Sequence, residues 1–65
     1  MIFVAISPMD HAGKRFQPGD IIQVGEDEFM LWTRDLQRMK ARMVMSQEDA
    51  KELRAAILDG SFAAK

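Results

Sequence analysis

The sequence contains no cysteine and only one histidine, and each scarcity removes a class of site. Without cysteine, the chain can form neither a disulfide nor a thiolate metal site. His11 is the only imidazole, which is too few for a zinc site, so we predict no metal and no cofactor. The usual staples of very small domains are therefore missing. Self-association is the remaining source of added stability.

Long apolar runs and an excess of charge of either sign are also missing. No run approaches the roughly 18–20 apolar residues of a membrane helix, so we expect no membrane partner. The N-terminal run MIFVAIS is too short for a signal-peptide core, and no basic residues precede it. We therefore expect a cytoplasmic protein. The net charge of −1 gives no overall field that would attract nucleic acid.

The 65 residues are enough for one small domain, which we place at 1–65. Short β-branched and aromatic runs predict strands at about 2–6, 14–16 and 20–24, with a loop over 7–13. Between the last two strands lies Gln17-Pro18-Gly19-Asp20. Pro18 presets φ at the second position of a turn and Gly19 accepts positive φ at the third, which predicts a type II turn.

The segment from Asp27 to Met45 has apolar residues at spacings of three and four, which predict an amphipathic helix over about 27–43. Acids at Glu26, Asp27 and Glu28 suit its N-terminal end. A hairpin is the alternative, in which residues 29–33 pair with 21–24 as a strand. We favour the helix because the spacing persists through five apolar positions, with Val44 and Met45 as a connector.

A second helix is predicted over about 47–58. Ser46 is a good N-cap, and Asp49 stands where a capping-box acid would stand. Gly60 lies where a left-handed residue commonly ends a helix. The predicted fold class is α+β, with a short N-terminal β-hairpin or small antiparallel sheet followed by two α-helices.

The segment from His11 to Ile22 resembles a pattern in small uncharacterised bacteriophage and prophage proteins, H-x-G-x-x-[FY]-x-P-G-D-x-[IV]. The resemblance covers about twelve residues and rests mainly on turn chemistry. It implies a phage-type accessory or structural protein and no particular reaction. A protein of that origin would work in the host cytoplasm or in the virion.

Residues that could carry catalysis have simpler explanations. His11 has Asp10 beside it and Asp20 nearby in sequence, and a carboxylate can orient an imidazole for acid–base work. We favour a loop histidine that caps a turn. The acids at 26–28 lack the alternating spacing of a calcium loop. We therefore predict no catalytic residues and no enzyme activity.

The predicted 27–43 helix suggests a binding surface. Its proposed anchors are Phe29, Trp32, Leu36, Met39 and Met43, with charge supplied by Arg34, Arg38 and Arg42. An apolar stripe of this kind is either core or interface, and the sequence leaves both open. The leading prediction is a non-enzymatic interaction or phage accessory protein that self-associates or docks on a protein partner. The alternative is a nucleic-acid-associated regulator that uses the arginines.

Overall fold

A computed structural model of the chain describes residues 1–62. The fold contains a three-stranded antiparallel sheet, a separate two-stranded hairpin and two helices. This arrangement confirms the predicted α+β class. In chain order the elements are β1 (Ile2–Val4), β2 (Met9–His11), β3 (Lys14–Phe16), β4 (Ile21–Gln23), α1 (Glu26–Arg38), β5 (Arg42–Val44) and α2 (Gln47–Asp59).

The central sheet has the strand order β4-β1-β5 and is covered on both faces. Phe3 lies opposite Ile22 on one side and Met43 on the other, so these three side chains share a face. Phe3 and Ile22 join Leu36 and Met39 in the main core cluster, beneath α1, whereas Met43 on the edge strand is mainly exposed. The opposite face carries Val4, and α2 packs there across all three strands. The apolar N-terminal run is therefore a central strand that is buried on both faces.

α1 ends five residues earlier than predicted, which corrects the 27–43 boundary. Arg38 is its last residue, Met39 caps it, and Lys40 takes a φ of +52°. The carbonyl of Met39 accepts hydrogen bonds from the N–H groups of Ile6 and Ser7, at 3.3 and 3.0 Å. These bonds tie the end of the helix to the continuation of β1. The chain then reverses, and β5 pairs with the open edge of β1 in place of further helical turns.

The two-stranded hairpin also differs from the prediction, because residues 7–13 contain a strand as well as a loop. β2 pairs with β3 across Ala12 and Gly13, whose φ values are +51° and +78°. Positive φ at both central residues is what a two-residue type I′ hairpin turn requires. The predicted turn at Pro18-Gly19 is also present, with φ +94° at Gly19 and a 3.0 Å hydrogen bond from the Asp20 N–H to the Gln17 carbonyl. It connects the hairpin to the central sheet.

α2 is close to its predicted extent because local residues set both of its ends. The Ser46 hydroxyl accepts a hydrogen bond from the Asp49 N–H at 3.2 Å, and Gly60 is left-handed with φ +84°. After the helix, the Ser61 hydroxyl donates a hydrogen bond to the Asp59 carboxylate, and the Ser61 backbone N–H donates a second one. These two bonds lower the pKa of the Asp59 carboxyl, the hydroxyl bond more than the backbone bond. Phe62 folds back, donating its N–H to the Ala56 carbonyl.

Candidate interaction surface

β5 forms one of the two edges of the central sheet, and β4 forms the other. β5 pairs with β1 and, among residues 1–62, with no other strand. The strand exists because Val44 and Arg42 lie opposite Ile2 and Val4 of β1. An unpaired edge exposes backbone donors and acceptors and is a template for pairing with another chain.

The backbone groups that point outward from β5 follow from the pairing of β1. Met1 and Val24 exchange hydrogen bonds at 2.8 Å in both directions, and Ala5 donates its N–H to the Asp20 carbonyl at 2.9 Å. Odd-numbered residues of β1 therefore bond to β4, and Ile2 and Val4 bond to β5, because hydrogen-bonded pairs alternate along an antiparallel ladder. Their partners Val44 and Arg42 face β1. The N–H and carbonyl of Met43 consequently point away from the sheet.

Exposed methionines lie on and beside this edge, because Met43 is in β5, Met45 follows it, and Met1 precedes the neighbouring strand β1. We call Met1, Met43 and Met45 the methionine edge. Their exposed fractions are 40%, 56% and 87%. Together with Ile2, Gln23 and Val44 they line a surface cavity of about 460 Å³ at the end of the sheet. Methionine packs adaptably against irregular partners and is frequent at binding surfaces. A second exposed apolar pair, Met30 and Leu31, lies on the outer side of α1.

The five predicted apolar anchors do not form one surface. Leu36 and Met39 are buried in the core, and Phe29 and Trp32 are partly buried and pack against that core. Phe29 stacks on Phe3 with ring centroids 6.0 Å apart. Met43 is mainly exposed, and it lies on β5 rather than on the helix. For four of the five residues, the apolar spacing therefore correctly predicted the side of α1 that packs on the sheet.

The three predicted arginines are likewise divided, because the helix ends before the third. Arg34 and Arg38 are exposed on α1, whereas Arg42 lies in β5. The guanidinium carbon of Arg42 is 5.7 Å from the centroid of the Phe62 ring, a cation–π contact with the segment after α2. The expected helical stripe of three arginines is therefore absent, which corrects the geometry on which the nucleic-acid alternative was based.

His11 has a partner that the sequence reading did not identify. Its Nδ1 pairs with the Asp35 carboxylate of α1, not with Asp10 or Asp20. The imidazole also lies on Trp32, with ring centroids 3.7 Å apart, and Phe16 meets the same indole edge-on at 5.6 Å. These contacts fasten the β2–β3 hairpin to α1. Their evident role is to hold the two elements together.

A cavity of about 300 Å³ lies beside this cluster. His11, Trp32 and Phe16 contribute aromatic walls, and Lys14 and Gln23 contribute polar groups. An Asp–His pair can orient an imidazole for proton transfer, which is the chemistry that this corner of the molecule offers. Among residues 1–62, no group of three or more histidine, cysteine or acidic side chains is placed to hold a metal ion.

Sequence reasoning missed β5 and the His11–Asp35 pair, which are the two features that shape these surfaces. The pair spans 24 residues of sequence, and no local pattern connects its members. A signal for β5 was present in the Met43-Val44 run after Ala41, but the helical spacing of Met39 and Met43 overrode it.

Comparisons with known proteins identify no relative of this chain. No family model, no curated protein and no solved structure matches it. The resemblance of residues 11–22 to phage proteins therefore remains a prediction. Within the described part of the chain, neither helix is long and apolar enough to cross a membrane.

Proposed function

We propose that this protein is a non-enzymatic interaction protein that docks through the methionine edge of β5. The observation that carries the proposal is the coincidence of exposed apolar side chains with outward backbone groups. Met43 in β5 is 56% exposed and Met45, the residue after the strand, is 87% exposed, and among residues 1–62 no strand pairs with the outer edge of β5. A strand added at this edge would gain main-chain hydrogen bonds and apolar contact together, the mode of recognition known as β-augmentation.

The proposal places the contact within the 27–45 segment, although on β5 instead of along the helix. Met43 is the one predicted anchor whose side chain is mainly exposed. The exposed pair Met30 and Leu31 on α1 is the competing surface, and helices can also dock through such residues. β5 is favoured because α1 has its backbone groups satisfied within the helix, whereas the outer edge of β5 offers donors and acceptors to a partner.

The test is site-resolved cross-linking with photo-methionine incorporated at the natural methionine positions in producing cells. We expect intermolecular cross-links from Met43 and Met45 that converge on one segment of one partner. Met39 is fully buried and serves as the internal negative control, and Met30 is the exposed control on α1. Cross-links from Met30 that equal those from Met45, or an absence of intermolecular cross-links at β5, would overturn the proposal.

A further inference from the structure

We infer that the partner docked at the methionine edge is a second copy of this chain, bound by antiparallel pairing of β5 with β5 of that copy. This inference rests on the proposed function and names its partner. It predicts a two-fold symmetric dimer with one continuous six-stranded sheet in the order β4-β1-β5-β5-β1-β4. Hydrogen-bond register, side-chain continuity and charge all favour this pairing.

The backbone N–H and carbonyl groups that point outward from β5 can pair with the same groups of a second copy. With Met43 of each copy on the two-fold axis, the two residues form a hydrogen-bonded pair in which each N–H meets the other carbonyl. In that register Met45 lies opposite Ala41 of the second copy. The Ala41 N–H already bonds to the Leu36 carbonyl at 2.9 Å, and its own carbonyl remains to accept the Met45 N–H. Each copy thus meets its own pattern of donors and acceptors, as an isologous contact requires.

Side chains continue across the axis on the α1 face of the sheet. Within one copy, Ile22, Phe3 and Met43 form a cross-strand row. Pairing at Met43 joins that row to the same row of the second copy, so each Met43 contacts the other across the axis. The exposed Met43 gains an apolar neighbour, and Met45 lies over the small Ala41 of the other copy.

Charge complementarity supports the same register on the α2 face. Arg42 lies opposite Val44 of the second copy, and that copy's α2 begins three residues after Val44, at Gln47. The first turn of α2 carries Glu48 and Asp49, and both are exposed. The antiparallel arrangement therefore brings a guanidinium near the acidic first turn of a helix on each side of the axis. Opposite charges placed in this way favour one register over its slipped alternatives.

The experiment measures the mass of the purified full chain by sedimentation velocity across a concentration series. The wild type is expected to shift from monomer towards dimer. Met43→Lys places two like charges opposite each other at the axis and should raise the dimer dissociation constant at least about tenfold. The matched control is Met30→Lys, which adds the same charge at an exposed position on α1 and should leave the constant unchanged. Circular dichroism of each variant verifies the fold.

A second measurement locates the contact independently of any substitution. Exchange of the Met43 amide, followed by NMR, should slow as the protein concentration rises, because its N–H is paired only in the dimer. Met43→Pro deletes the same N–H and removes no hydrogen bond to β1. Edge strands accept proline at such outward-facing positions, so the variant should fold but should not form the dimer. A monomer at every concentration, or a dimer that Met30→Lys disrupts and Met43→Lys does not, would overturn the inference. Cross-links from Met43 and Met45 to a foreign strand would then leave the proposed function standing with a different partner.

Discussion

The two faces of the central sheet are packed with side chains of very different size. Beneath α1 the sheet meets large groups, because Phe3 stacks on Phe29 while Phe16 and Trp32 fill the side towards the hairpin. Cavities of about 300 and 260 Å³ remain on the two flanks of this helix. Beneath α2 the fully buried residues are Val4 and the small Ala50, while the larger Leu53 and Ile57 of α2 are only partly buried.

This difference indicates how each face would respond to a change in side-chain volume. Large rings dominate the burial of a small core, so removing one beneath α1 leaves a void that a short helix cannot close. Beneath α2, where Ala50 meets the sheet, added volume has no room. One face should therefore be sensitive to truncation and the other to enlargement. The first two predictions below test that contrast, the next two test the turn and the helix cap that border the α2 face, and all four run from the largest expected effect to the smallest.

Trp32→Ala should produce the largest loss of stability. The indole contacts His11 and Phe16, so its removal breaks the packing of the hairpin on α1. Because Trp32 is only partly buried, we expect the free energy of unfolding to fall by about 3 kcal/mol, the lower end for a large aromatic residue. That loss is a large fraction of the roughly 3–10 kcal/mol expected for a domain of this size. Urea denaturation followed by circular dichroism measures the change.

The control is Trp32→Phe, which keeps a ring against Phe16 and should restore most of the stability. Trp32 fluorescence also tests whether Trp32 belongs to the dimer interface. Because Trp32 packs within one copy, its emission should remain blue-shifted across a dilution series even while the mass changes. A red shift on dilution would place Trp32 in the interface instead.

Ala50→Leu tests the α2 face by adding volume. Ala50 is fully buried, and overpacking a closely packed site typically costs about 1–3 kcal/mol. Ala55 lies on the exposed side of the same helix, so Ala55→Leu adds the same group without a steric conflict. Equal stability of the two variants in thermal denaturation would show that the α2 face has spare room, and the contrast between the faces would be lost.

Gly19→Ala tests the turn that joins the hairpin to the central sheet. Gly19 has φ +94°, and an added Cβ would lie 3.2 Å from a methyl carbon of Leu58 on α2. Backbone strain alone should cost about 1 kcal/mol, and the Leu58 contact should add to it. Gly13→Ala is the matched control, because Gly13 has φ +78° with open space around it. If both variants lose the same stability in urea denaturation, the Leu58 contact contributes nothing.

Ser46→Ala should have the smallest effect of the four. It removes the acceptor for the Asp49 N–H at the start of α2 and should cost about 1 kcal/mol. Ser46→Asp retains a capping oxygen and should be close to the wild type. α1 offers a comparison within the molecule, because Gly25 caps it without a side-chain hydrogen bond. If Ser46→Ala and Ser46→Asp lose the same stability, the contribution of Ser46 does not come from its capping hydrogen bond.

Most of the candidate surface was beyond sequence reasoning, although parts of it were within reach. The spacing of Phe29, Trp32, Leu36 and Met39 predicted one apolar side of a helix, and that side packs on the core. The same pattern could not show whether the side would be core or interface, because hydrophobic spacing reports burial without naming the surface that provides it. Met43 continued the spacing and lies on a strand, so periodicity assigned it to the wrong element.

The sequence by itself determined the features whose causes are local. Ser46 and Gly60 set the ends of α2, and Pro18-Gly19 set a turn, because capping and positive φ depend on neighbouring residues alone. Tertiary structure decided where α1 ends, that β5 completes the sheet, and that His11 meets Asp35. Helical spacing and strand pairing competed for residues 39–44. The open edge of β1 prevailed because pairing satisfies its backbone groups, and no window of local sequence contains that requirement.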